Sequence, residues 1–331
     1  MAFDVLAWAQ SRVPGGRVGG TGWYNARCPF HQDGHPSFGV NTTTGVWKCK
    51  SASCGKRGDL VRLVMLIDGL SWRQACALVD RPNPFDVDEA PPASTRPDGR
   101  VVQARPRVNP FPSDLVAVSA DRAPVYLRER GYCLQDALAF GLHFGDDAAG
   151  ALRGYLVFPF WSADGEYVTY TARRMSEDDR HGIRYRHPDQ GVASRHLYGA
   201  WRFRGVAWVE RIFAVEGQFD AMRLWGFGLP ASGLSTSAAS PAQLNQLAAL
   251  SRAYDAPVCV LLDNGPDERK RAVSIVAELD AKMVPAYVGE LPAGVKDPDR
   301  LTGETITKLL DRCNVKELQF QKSDGMDLSG R

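Results

Sequence analysis

Two short pairs, Cys28-Pro-Phe-His31 and Cys49-x4-Cys54, separated by 17 residues, constrain this chain more than any other feature in it. Each pair can grip one edge of a tetrahedron, and three thiols with one imidazole are the donors that Zn²⁺ takes in that geometry. Between them, Pro36-Ser-Phe-Gly-Val40 and Gly45-Val-Trp-Lys48 alternate apolar with small or polar residues. They read as two short strands joined by a turn over 41–44. The pattern predicts a zinc ribbon on Cys28, His31, Cys49 and Cys54, a module that does not fold without its metal. His35 is a rival to His31, but the short Cys-x2-His reach selects His31. A disulfide is the other use for such cysteines, and nothing else in the sequence points to an oxidising compartment. Cys76, Cys133, Cys259 and Cys313 stand isolated, as buried or incidental thiols do.

A chain of 331 residues leaves room for two or three domains, and 44% apolar with 24% charged residues is ordinary for a globular protein. There is no 18-residue apolar run, and the start of the chain carries an acid at position 4 and no basic leader. Neither a membrane span nor a signal peptide is expected, and a cytoplasmic location follows. A net charge of +2 does not argue for nucleic acid, but its distribution is uneven. Arginines crowd 173–204, while acids gather at 86–89 and in the last third. That suits an enzyme holding a polyanion beside chelated metal ions.

The chain divides by composition into five stretches. Residues 1–81 hold the ribbon, with helices expected at 60–66 and 71–79 and Ser71 as the second helix's N-cap. Residues 82–113 carry eight prolines and read as an extended tether. Residues 114–210 mix helices, at 114–130 and 133–140 with Gly131 ending the first, and a β-hairpin of 155–161 with 166–172 around Asp164-Gly165. Residues 211–315 alternate strand and helix, which predicts a parallel sheet covered on both faces. Residues 316–331 form a polar tail. The expected fold class is therefore multidomain: a zinc-ribbon β module, an α+β subdomain and an α/β domain.

In open α/β sheets the functional site lies outside the carboxyl ends of the strands. Glu216 and Asp263 end two strands, and Asp297 and Asp299 follow another. Carboxylates converging there repel one another unless cations neutralise them, and hard oxygen donors select Mg²⁺ or Mn²⁺. Such a cluster suits phosphoryl or nucleotidyl transfer.

The words around these residues resemble one family. Cys28-Pro-Phe-His-Gln-Asp-Gly-His-Pro-Ser-Phe38 with Cys54-Gly-Lys-Arg-Gly-Asp59 is similar to the zinc-binding domain of DnaG-type bacterial and phage primases. Phe158-Pro-Phe160, Ala172-Arg-Arg174 and Arg195-His-Leu-Tyr-Gly199 resemble the N-terminal half of that family's polymerase core, where a basic groove holds template. Val215-Glu-Gly-x-x-Asp220-Ala, Leu-Leu-Asp263-Asn and Lys296-Asp-Pro-Asp299 resemble its TOPRIM domain. The resemblance implies a DNA-directed RNA polymerase that reads single-stranded DNA and joins nucleoside triphosphates into short primers. It implies one structural Zn²⁺, catalytic Mg²⁺ or Mn²⁺ on Glu216, Asp263, Asp297 and Asp299, and phosphate-binding roles for Arg173, Arg174, Arg184 and Arg195. No Gly-x4-Gly-Lys-Ser/Thr motif is present, so the expectation is a compact, monomeric, stand-alone form served by a separate helicase. A nucleic-acid-binding accessory protein with a decayed polymerase site, or a TOPRIM nuclease, is the alternative.

Two departures from the family pattern stand out. Four residues, not two, separate Cys49 from Cys54. The family's Asp-x-Asp becomes Asp263-Asn-Gly265, and glycine offers no side-chain ligand. Either a Gly-Pro insertion lengthens the loop so that Asp267 supplies the second carboxylate, which is the favoured reading, or Glu268 or water replaces it. Near the ribbon, Trp23, Tyr24 and Trp47 are open to two roles, stacking on bases or core packing.

Overall fold

The computed structural model describes residues 3–70, 72–82, 94–95, 101–102, 111–162, 164–176, 183–188, 192–206, 209–235 and 238–313. The N-terminal module opens with helix α1 (Val5–Arg12), capped by Asp4, whose carboxylate accepts from Ala7 N. Five antiparallel strands follow: β1 (Arg17–Val18), β2 (Trp23–Ala26), β3 (Phe38–Asn41), β4 (Trp47–Cys49) and β5 (Arg57–Gly58). The sequence had marked only the stretches of β3 and β4. Two more helices back the sheet, α2 (Leu60–Asp68), N-capped by Asp59, and α3 (Trp72–Leu78). The expected cap Ser71 lies outside the described residues. In the proline-rich stretch β6 (Ser94–Thr95) pairs antiparallel with β7 (Val101–Val102), a ladder the prolines had been expected to exclude.

The middle of the chain builds a second antiparallel sheet. In order it runs β12 (Tyr185–Arg186), β11 (Tyr167–Arg174), β10 (Tyr155–Trp161), β9 (His143–Phe144) and β8 (Val116–Ala117). The long helix expected over 114–130 is only α4 (Val125–Glu129), because Pro124 sets its start and 116–117 pair as a strand. Helix α5 (Leu134–Ala139) begins at Cys133, as expected. Gly131 follows α4 at φ +76°.

The last third is a parallel sheet, order β14 (Ala231–Gly233), β13 (Ile212–Val215), β15 (Val258–Val260), β16 (Ala286–Val288). Side chains alternate across it with period two. Ile212, Ala214, Val258 and Val260 face α7 (Pro241–Tyr254) and α8 (Pro266–Asp280). Phe213, Val215, Cys259 and Leu261 face α6 (Gln218–Gly226), α9 (Gly303–Cys313) and the antiparallel sheet.

The ribbon and the parallel sheet share one hydrophobic core. Val61, Leu63 and Val64 of α2 belong to the same buried cluster as Leu247, Leu250 and Tyr254 of α7. Arg62, 2% exposed, lays its guanidinium 4.4 Å from the centre of the Tyr254 ring and donates to the Val206 carbonyl. At Gly58 the β5 backbone meets the last turn of α7. A Cβ there would collide with the Ala253 carbonyl oxygen and sit 3.2 Å from its carbon. Among the described residues no helix is long and apolar enough to cross a membrane.

Candidate metal centres

Strand β3 and the two knuckles bring Cys28, His31, Cys49 and Cys54 together, with all four ligand atoms within 4.8 Å of one another. His31 Nδ1 is buried with no hydrogen-bond partner, an orphan that a metal would satisfy. Burial pushes the Cys28 thiol up to about 12, so a thiolate there needs a cation beside it. Asp33 organises the first knuckle, accepting from Cys28 N at 2.7 Å, Ser37 N at 3.1 Å and Ser37 Oγ at 2.7 Å. Those bonds, the Cys28 amide foremost, hold its carboxyl at about 2. The enlarged second knuckle closes as a turn, Cys54 N and Gly55 N both donating to Ser51 O. Three thiolates and an imidazole fit Zn²⁺, with His31 and not exposed His35 as the fourth ligand.

The second cluster lies beyond the carboxyl ends of β13 and β15. A cavity of about 450 Å³ is walled on one side by Glu216, Asp220, Asp263, Asp297 and Asp299. Asp263 is half-buried, and burial followed by the charges of Glu216, Asp297 and Glu268 raises its carboxyl to about 6. Asp220 is fully buried; it accepts from Gly217 N at 2.8 Å and Asp299 N at 3.0 Å. Burial, then the charge of Asp263, raises it to about 7. Glu216 and Asp263 share this wall with Asp297, which caps a 3-10 turn over Pro298–Arg300.

Asp299 is placed differently from the expectation of a metal ligand. It is 6% exposed and bonded to the Arg130 guanidinium and the Tyr132 hydroxyl, with Arg223 Nη2 3.6 Å away. Its carboxylate is engaged in tying the loop after α4 to the parallel sheet.

Of the expected phosphate-binding arginines, Arg173 and Arg184 line the cavity opposite the acids. Register explains which of the neighbours Arg173 and Arg174 reaches it. Arg173 pairs with core-facing Leu156, so it points toward the parallel sheet and lies over Phe219. Arg174 pairs with Tyr155 on the other face and donates to its hydroxyl. Arg195 ends a 3-10 turn, its carbonyl accepting from Gln246 Nε2, and does not line the cavity. Lys296 and Arg300 do, and sequence reasoning missed both. Lys296 stood in the quoted Lys-Asp-Pro-Asp word, which was the available signal.

The loop after Asp263 departs from the favoured reading. Asp267 is exposed and paired with Lys270 Nζ at 3.1 Å, and it lines neither this cavity nor the smaller one beside Asp263. Glu268 lines the smaller cavity together with Asp263 and Gly265. Arg271 Nη2 bridges Glu268 Oε1 at 2.9 Å and Glu216 Oε2 at 3.1 Å. Of the aromatic residues near the ribbon, Trp47 and Tyr24 are core: Trp47 donates to Asp59 O, and Tyr24 donates to Val13 O. Trp23 is half-buried, with Lys48 Nζ 5.7 Å from its ring centre.

Residues 4–91 match the CHC2 zinc finger family. The chain is 26% identical to the DNA primase of Chlamydia trachomatis over 87% of its own length and 54% of that protein. It is also 26% identical to the DNA primase of Aquifex aeolicus, over 85% and 61%. It thus spans little more than half the length of the curated relatives it matches. The crystal structure of the zinc-binding and RNA polymerase domains of the Aquifex aeolicus primase aligns with 93% of this chain and 82% of that one, at 20% identity and a TM-score of 0.47. The resemblance to DnaG-type primases that the motifs carry extends along most of the chain.

Proposed function

We propose that this chain synthesises short RNA primers on single-stranded DNA by metal-dependent nucleotidyl transfer. The observation that carries the reading is the cavity at the strand ends, with carboxylates on one wall and Arg173, Arg184, Lys296 and Arg300 on the other. Glu216, Asp263 and Asp297 offer hard oxygen donors of the kind that hold Mg²⁺ or Mn²⁺. Those ions, when bound, lower the pKa of an attacking hydroxyl and neutralise the leaving group. The basic wall holds the triphosphate and the template backbone, arginine by its bidentate fork and lysine as a point charge. A primer 3′-hydroxyl then attacks the α-phosphorus, a new P–O bond forms, and pyrophosphate leaves as the α–β bridge breaks. The zinc ribbon, with exposed Lys50 and Arg57 near its knuckle, reads template. A separate helicase is the partner this activity calls for.

The test is synthesis on random single-stranded DNA with labelled nucleoside triphosphates and Mg²⁺ or Mn²⁺. Short products that depend on template and vanish in Glu216→Gln support the reading. A folded, zinc-loaded protein that makes no product with either ion overturns it.

A further inference from the structure

Gly265 removes a carboxylate where the related sequences carry one, yet the space beside it is not vacant. A Cβ built on Gly265 would collide with Glu268 Oε2 and lie 3.1 Å from the Glu268 carboxyl carbon. The place where a side chain at 265 would begin is therefore already taken by a carboxylate from the first turn of α8.

Local geometry accounts for this. Pro266 at the first helical position makes Gly265 the N-cap and Glu268 the third residue of the helix. A side chain at that third position reaches back over the N-cap, as the glutamate of a capping box does. At Gly265 that reach is unobstructed, and it carries the carboxylate toward Asp263 instead of into solvent. Asp267, one residue earlier, is turned outward to Lys270.

A cation already sits between the acids concerned: the Arg271 guanidinium contacts both Glu268 and Glu216. Two carboxylates from separate elements thus converge on one positive charge, beside Asp263.

We propose that Glu268 replaces the carboxylate absent at position 265 and completes, with Glu216 and Asp263, a divalent-cation site in which Arg271 is the counter-charge that yields on binding. The glycine and the glutamate then form one exchange, the ligand moving three residues along while its carboxylate returns to the same place. This rests on the reading of the acidic cavity as a divalent-cation site.

The test is Mn²⁺ binding to the full zinc-loaded chain, followed by the electron paramagnetic resonance of the free ion. Glu268→Gln should weaken binding by about tenfold or more, the scale on which metal sites respond to such changes. Arg271→Gln should tighten it. Asp267→Asn should leave it unchanged, and melting curves should show all three variants folded. Wild-type affinity in Glu268→Gln, a larger loss in Asp267→Asn, or no Mn²⁺ binding by wild type overturns the inference. Primer synthesis separates it from the function proposed above. Glu268-dependent Mn²⁺ binding in a chain that makes no primers leaves the inference standing and removes the polymerase. Full primer synthesis and Mn²⁺ binding by Glu268→Gln does the reverse.

Discussion

Arg62 and Tyr254 lie face to face, 192 positions apart in the chain, with the guanidinium carbon 4.4 Å from the ring centre. One comes from the helix behind the zinc ribbon and the other from the helix that covers the parallel sheet. A desolvated contact of this kind is worth about 2 kcal/mol, and the Val206 carbonyl that Arg62 also satisfies costs about 1–3 kcal/mol if left buried and unpaired.

Arg62→Ala should therefore lower global stability by about 2–4 kcal/mol. Denaturant unfolding followed by tryptophan fluorescence measures it. Arg62→Met should recover part of the loss, because a buried cation also carries a desolvation cost that a thioether lacks. An alanine variant as stable as wild type would mean that the ribbon does not sit on α7.

Zinc removal should be felt beyond the ribbon. Cys49→Ser/Cys54→Ser should bind no zinc, and its loss should lower the melting temperature of the whole chain, since α2 and α7 share a core. Metal analysis and calorimetry on the same sample give both readouts. Zinc retained at one equivalent in the double variant would remove two of the four assigned ligands.

Glu216→Gln and Asp299→Asn should fail in opposite ways. Glu216 is a third exposed and lines the cavity, so neutralising it should leave melting unchanged and cost primer synthesis about 10² or more. Asp299 is buried against Arg130, 13% exposed, and removing its charge strands a buried cation. A cost of about 3–5 kcal/mol in stability is expected, with activity lost through unfolding. A stable, inactive Asp299→Asn would return that residue to the ligand set.

Stability should fall as pH rises from 6.5 to 8 in the absence of divalent ions. Asp220 is raised to about 7 and Asp263 to about 6, so the folded state holds protons that the unfolded chain gives up near pH 4. The stability they supply is complete below pH 4 and is lost as pH rises through those values. Buried His196, pushed down to about 4 by its burial, acts in the opposite sense, but only below its ordinary value of 6.5. Mg²⁺ should flatten the slope by replacing the protons. Urea midpoints at the two pH values, with and without Mg²⁺, measure it, and a rising midpoint without Mg²⁺ would contradict it.

The zinc ligands and the strand-end acids were legible because each depends on short spacing or on a strand's end, both local properties. The β1 and β5 strands were not, since two residues cannot show alternation. The helix drawn through 114–130 ignored Pro124, which fixes a helix start more firmly than the apolar residues before it propose one. Asp267 was preferred over Glu268 by counting along a loop, whereas Pro266 already marked a helix in which the third residue turns back. Arg173 and Arg174 were indistinguishable until the hairpin register assigned them to opposite faces. The seating of the ribbon on α7 joins residues nearly two hundred positions apart, and no window of sequence contains both.

The absence of room at Gly58 has a mechanical meaning. Backbone there abuts backbone at Ala253, so the junction has no compliant side chain to absorb sliding. Close-packed junctions of this sort are bistable, not continuously deformable. The two halves are either latched or apart, and a template strand lying across both would feel a hard stop where a flexible arm would have given slack.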